Sequence, residues 1–229
     1  MARPATRRLP RDQRVAAILQ TARVVLRERG FENFLTLEVA ERCGVSEGTI
    51  YKYFASKRDL LIKVSEDWFD EFLDDDYAER TSGSLRERLF HVIWRSLSVV
   101  KREPVLTRFV LLDLRSDPNY RNLRIYEQNR EIVARVTRVI QDGMTSGEIR
   151  SDIPLTLVRD MVFGGIEHQT WAYLRGEGDF SVEVSAEGLT DVLLRGIGAP
   201  VEAPPAPDAL TQAVARLEAI ADRLEPDQR

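Results

Sequence analysis

Apolar residues return at helical spacing almost everywhere along this chain, and strand-like alternation never runs beyond a few residues. Between Arg11 and Arg29 the apolar positions are Val15, Ile18, Leu19, Ala22, Val25 and Leu26, one stripe of the kind a half-buried helix needs. Gly30 follows, where glycine commonly ends a helix. Thr36 is placed to cap LEVAERC, and Ser46 to cap EGTIYKYF. Ser56 with Asp59 forms a capping-box pattern for a helix that continues through Trp68, Phe69 and Phe72 to Asp74, Asp75 and Asp76. Ser84 with Glu87 repeats the pattern before LRERLFHVIWRSLSVV. Pro104 restarts a helix through Leu114, Pro118 opens a long one to about Met144, Pro154 opens another to about Leu174, and a last lies near 186–197. The best strand candidate, VEV at 182–184, is too short to matter. An all-α fold is expected.

Composition narrows the function classes. The chain has 229 residues, 43% hydrophobic, and a formal net charge of -4. That length holds one large domain, or a small domain on a larger one. No apolar run approaches the roughly 18 residues of a membrane span, and the basic N-terminus has no apolar segment behind it, so no secretory signal is expected. Cys43 is the single cysteine, which excludes an internal disulfide and suits a reducing cytoplasm. Residues 1–60 carry twelve Lys/Arg against seven Asp/Glu, whereas 61–229 carry 21 against 30. A basic head on an acidic body suits a polyanion partner for the head alone. Charge by itself fits a chance asymmetry of solvated helices equally well.

The segment GVSEGTIYKYFASKRDLL, 44–61, is the densest in chemistry. Two short helices joined at Gly44 make a helix-turn-helix candidate. Leu37, Val39, Ala40 and Cys43 are the apolar set of its first helix. At about 100° per residue, Ile50, Tyr53 and Phe54 share the inner side of the second. Glu47, Gly48, Tyr51 and Lys52 take the outer side, with Thr49 on the flank. Such a face suits the major groove. Gly48 permits close backbone approach, and Lys52 reaches guanine or phosphate. Thr49, Tyr51 and Tyr53 offer hydroxyls to phosphates. Thr36, Ser46 and Lys57 lie at helix starts, where a phosphate is favoured. Glu47 either accepts from a cytosine amino group or complements its own helix dipole, and the second reading is preferred.

LTLEVAERCGVSEGTIYKYFASKRDLL, Leu35 to Leu61, resembles the DNA-binding domain of the TetR family of bacterial transcriptional regulators. Ala40, Gly44 and Ile50 stand where helix-turn-helix proteins place them, and YKYF followed by Lys57 and Leu60 is similar to the family's signature. Tyr53 stands where many members have histidine. Glu47 departs from the lysine or small residue frequent in relatives, so base preference does not carry over.

The resemblance implies an N-terminal three-helix DNA-binding domain followed by a helical ligand-binding and dimerisation domain. It also implies a homodimer on an inverted-repeat operator of double-stranded DNA, released by a small-molecule effector, with a cytoplasmic location at the nucleoid and no membrane. The expected layout is a basic flexible arm, 1–10; the DNA-binding domain, 11–56; the ligand and dimer domain, 57–198; a Pro/Ala-rich linker, 199–207; and an amphipathic helix, 208–229. In the arm, Arg3, Arg7 and Arg8, joined by Arg11 and Arg14, would follow phosphates or the minor groove. In the tail, Leu210, Val214, Leu217, Ala221 and Leu224 have coiled-coil spacing; packing back on the domain, or fraying, remains open.

Candidate ligand contacts are His91, Trp94, Phe109, Tyr126, Phe163, His168 and Trp171, a mixture that builds pockets and cores alike. Gly164-Gly165 within a helix suggests close packing of backbones or a kink beside a pocket. Arg121, Arg124, Arg130, Arg135 and Arg138 form either an anion site or, preferably, a solvated face. FGGIEH resembles family members that sense acyl-CoA or other lipid-like molecules. No metal spacing, cofactor motif or nucleophile–base pattern occurs. The alternatives are an activator or adaptor on the same head, and an enzyme built around His91, His168, Glu167 and Asp160.

Overall fold

The computed structural model describes residues 10–74, 83–198 and 212–218. Most of the expected arm, Asp75 and Asp76, and the linker 199–207 lie outside these. The chain divides after Gly198 into two units. In the second, 212–218 is helical and exposed, including Val214 and Leu217; Leu210, Ala221 and Leu224 are outside the described residues.

The first unit is helical: α1 (Arg11–Arg29), α2 (Thr36–Arg42), α3 (Glu47–Tyr51), α4 (Lys57–Asp74), α5 (Leu85–Arg102), α6 (Pro104–Arg108), a π-helix (Phe109–Leu114), a 3-10 turn (Tyr120–Asn122), α7 (Arg124–Ser146), α8 (Leu155–Leu174) and α9 (Val182–Ile197). Among the described residues the only strand-like pairing is an isolated bridge between Ile149 and Gly198. One apolar core gathers α1–α4 with α6, the π-helix and the start of α7, around Ile18, Val25, Val39, Ile50, Leu60 and Phe109. A second joins α5, the end of α7, α8 and α9 around Leu89, Ile93, Val139, Val162 and Leu193.

Local chemistry sets the boundaries. The Ser84–Glu87 capping box is complete, Pro104 is the first residue of α6, and Pro154 stands just before α8. Gly44 ends α2 with φ of 66°. Its N–H reaches Glu41 O and the Val45 N–H reaches Ala40 O, both at 3.0 Å. This is the paired closure of a left-handed helix stop, which glycine adopts without a Cβ penalty.

Several expectations are corrected. Pro118 does not open α7. The Asp117 carboxylate accepts from the Asn119 N–H at 2.7 Å, a local turn that competes with helix, and α7 begins at Arg124 after the extended Leu123. The last helix starts four residues earlier than read, at Val182, because the Ser181 hydroxyl accepts from the Val184 N–H; VEV is its first turn. Thr36 is not a cap, since the extended Leu35 holds that place. Ser46 is at the cap of α3 but makes no side-chain cap bond; its hydroxyl lies 2.9 Å from the Thr49 hydroxyl. Ser56 accepts from the Asp59 N–H, yet Asp59 accepts from Ala55 rather than Ser56, one residue off a capping box. Leu37, expected inside, is 50% exposed. At Gly165 an added Cβ would lie 3.0 Å from a Leu189 methyl, while at Gly164 it would meet nothing within 4 Å. The pair therefore faces a side chain and open space, not a neighbouring backbone.

Candidate nucleic-acid interface and ligand cavity

In the head, α3 is seated by Ile50 and Phe54, 0% and 3% exposed, in the core that holds Val39 and Ala40 of α2 and Ala22 and Leu26 of α1. Its other side is open: Gly48, Tyr51 and Lys52 are exposed, and Glu47, Thr49 and Tyr53 half-buried. The Thr36 hydroxyl donates to the Glu47 carboxylate at 2.5 Å and lies 3.0 Å from the Tyr51 hydroxyl. Glu47 is thus drawn back onto the start of α2. Neither of its sequence readings anticipated this tie between the starts of α2 and α3. The Lys57 ammonium turns inward, 5.5 Å from the Phe31 ring centre and 5.7 Å from that of Phe34.

Between α4, α5, the π-helix, α7 and α8 lies an apolar cavity of about 120 Å³. Trp68, Phe69 and Phe72 form one wall and Val99, Val110 and Ile132 others; Phe163, Ile166 and Thr170 close it from α8. Arg115, ion-paired with Glu167, and Asn129 supply polarity at the lining. Of the seven sequence candidates, Phe163 alone lines this space. His91 lines a small recess beside Phe72 and Ile132 and stacks near Trp94. Phe109 is buried and stacks on Phe31 at 5.2 Å. Tyr126 meets Tyr120 edge-on at 5.5 Å, Trp171 is half-buried, and His168 is exposed. The α4 aromatics that line the cavity were not among the candidates; the WFDEF run (68–72) was the available signal. Glu167 is engaged by Arg115 and Asp160 by Arg159. On α7, Arg124 pairs with Asp70, Arg138 approaches Glu131 and Arg130 lies over the Tyr126 ring, whereas Arg135 is largely buried and donates to the Leu73 carbonyl at 2.8 Å. Among the described residues no three His, Cys, Asp or Glu side chains could hold a metal ion, and no helix is long and apolar enough to cross a membrane.

The outer faces of α8 and α9 are unusually apolar. Leu157 and Met161 are each 51% exposed, and Val184 and Val192 more so. On α9, Val184, Gly188, Val192 and Gly196 recur every fourth residue along one face.

Arg23 and Arg27 of α1 hold Glu103, whose side chain is 3% exposed, and Arg23 also pairs with Glu71 of α4. Arg23 binds Glu103 at 2.6 Å, and the Arg27 Nε donates to it at 2.9 Å. Burial alone would push the Glu103 carboxyl up. Hydrogen bonds from Arg27 and Arg23, with their charges, outweigh that and hold it below the ordinary range.

A helix-turn-helix head on a helical body with an internal apolar cavity defines a ligand-responsive DNA-binding regulator, and the chain belongs to the TetR family. The model for bacterial regulatory proteins of the tetR family matches residues 18–64, and that for the tetracyclin repressor-like C-terminal domain matches 82–197. The fatty acid metabolism regulator protein of Bacillus subtilis (strain 168) is 26% identical over 187 residues, 79% of this chain and 93% of that protein. The crystal structure of the transcriptional regulator FadR from Bacillus subtilis in complex with stearoyl-CoA has a TM-score of 0.68 at 25% identity, covering 80% of this chain and 98% of that one. The transcriptional repressor KstR2 of Mycolicibacterium smegmatis is 24% identical over 188 residues, 79% of this chain and 88% of that protein. These relatives are named as regulators.

Proposed function

We propose that this chain is a homodimeric repressor, released from an inverted-repeat operator when a long-chain acyl-CoA or a lipid-like relative fills the cavity. The observation that carries the reading is the double duty of α4. Its first half, through Leu60, Leu61 and Val64, belongs to the core of the head. Its second half, through Trp68, Phe69 and Phe72, is the wall of the cavity. An apolar chain that displaces this wall moves the helix on which the head is built. The stearoyl-CoA held by the B. subtilis structure supports the ligand class.

In this reading residues 11–56 are the DNA-binding domain and 57–198 the ligand and dimer domain. The α3 helix enters the major groove with Gly48 and Thr49 toward the bases, while Ser46, Tyr51, Lys52 and Tyr53 approach phosphates. The α8 and α9 faces bearing Met161 and Val192 pair with their copies, as apolar patches on an otherwise charged surface are expected to do. Two heads then sit about 34–36 Å apart, one DNA turn. Ligand weakens DNA binding only in so far as it prefers a different spacing. The test is fluorescence anisotropy on a duplex selected from genomic fragments, titrated with palmitoyl-CoA. Release of at least about tenfold in apparent affinity is expected; unchanged binding at saturating ligand sinks the proposal.

A further inference from the structure

Next to the apolar cavity is a polar chamber of about 470 Å³ that shares Trp68, Phe72 and Val99 with it. The mechanism above does not use it. Among the described residues its walls carry four arginines, Arg23, Arg27, Arg95 and Arg102, against two carboxylates, Glu71 and Glu103. Arg23 and Arg27 hold Glu103, and Arg95 lies over the Phe72 ring, 4.4 Å from its centre. Arg102 is exposed and makes no ion pair among the described residues.

Arg23 and Arg27 share Glu71 and Glu103, so among the described residues Arg102 adds positive charge to the chamber that no carboxylate there answers. Planar guanidinium forks match phosphate oxygens two at a time. The chamber is larger and far more polar than the cavity beside it, which suits a hydrated, charged group better than hydrocarbon.

We propose that the chamber is an anion subsite that takes the phosphate-bearing head of a ligand whose apolar chain lies in the neighbouring cavity, with Arg27 and Arg102 as its principal contacts. The proposal rests on the ligand reading given under Proposed function. It also adds a signal. A phosphate that engages Arg27 competes with Glu103 for the guanidinium, and Arg27 belongs to α1, the packing helix of the head. Head-group binding thereby loosens a tie between α1 and the α5–α6 junction, independently of the push on α4.

Three ligands with one chain length separate the possibilities: lauroyl-CoA, dodecyl phosphate and 1-dodecanol, each titrated calorimetrically into the full-length protein. Arg102→Glu and Arg27→Gln are expected to raise Kd for the two phosphorylated ligands by at least about tenfold, and to leave 1-dodecanol within about twofold. Leu111→Trp, which blocks the apolar cavity, is expected to weaken all three. Arg102 is exposed, so its variant folds even if Arg27→Gln does not, and thermal melting checks both. Loss with dodecyl phosphate but not lauroyl-CoA keeps the anion subsite and assigns it to a small phosphate; loss with both, or with lauroyl-CoA alone, keeps it for the coenzyme head. If the variants bind both phosphorylated ligands as tightly as wild type does, the subsite is wrong and the ligand reading survives. If wild type binds none of the three, both fall together.

Discussion

Replacing Glu103 by Gln tests the tie between head and body directly. The Glu103 carboxylate, 3% exposed, accepts from Arg23 and Arg27. Removing one partner of a buried ion pair costs about 3–5 kcal/mol. Three features reduce that here. The Arg27 side chain is 49% exposed, Arg23 keeps Glu71 at 2.6 Å, and the Gln amide oxygen still accepts one hydrogen bond. A loss of about 2 kcal/mol remains. For a chain of this size that is a fall in Tm of about 4–8 °C, read by circular dichroism at fixed protein concentration because a dimer's Tm depends on it. The pH dependence follows from the lowered Glu103 pKa. The carboxylate is stabilised in the folded state, so its contribution is complete above the unfolded value of about 4.3. It is lost as pH falls through the lower folded value. The gap between wild type and variant should be flat from neutral pH to about 5 and close below that. A gap under about 1 °C at pH 7, or one that persists at the lowest pH where wild type is folded, would refute the reasoning.

Lys52→Ala should weaken operator binding and lower the slope of log affinity against log salt by about 1; anisotropy over a salt series that shows the same slope removes Lys52 from the DNA face. Gly44→Ala should destabilise by about 1–2 kcal/mol through its left-handed backbone alone, because an added Cβ there would touch nothing within 4 Å; urea titration that finds no loss contradicts the turn geometry. Met161→Glu combined with Val192→Glu should yield a folded monomer by light scattering, and a persistent dimer would move the interface elsewhere.

The helical class, most helix starts and the inward face of α3 were legible because each depends on neighbours in sequence. Ser84 reads Glu87 three residues on, and Ile50 and Phe54 fall four apart. The errors lie where side chains compete with that local code: Asp117 folds the chain over Asn119 where Pro118 alone promised a helix. What could not be read was distance. Thr36 meets Glu47 only once α2 and α3 have crossed, and Glu103 finds Arg23 across 80 residues. The aromatics posed the same difficulty. Phe109 and Tyr126 carry the mix of bulk and polarity expected of a pocket, yet tertiary contacts spend them on Phe31 and Tyr120, and the cavity wall comes from α4 instead.

The helix that meets DNA in this reading has five residues, far too few to persist by itself in water. Its shape is lent to it by Ile50 and Phe54, and through them by residues on three other helices. A genetic screen for lost repression should therefore return hidden aliphatic positions such as Val39 and Ala22 as often as groove-facing ones. The two groups would be told apart not by phenotype but by whether cooling the cells restores control.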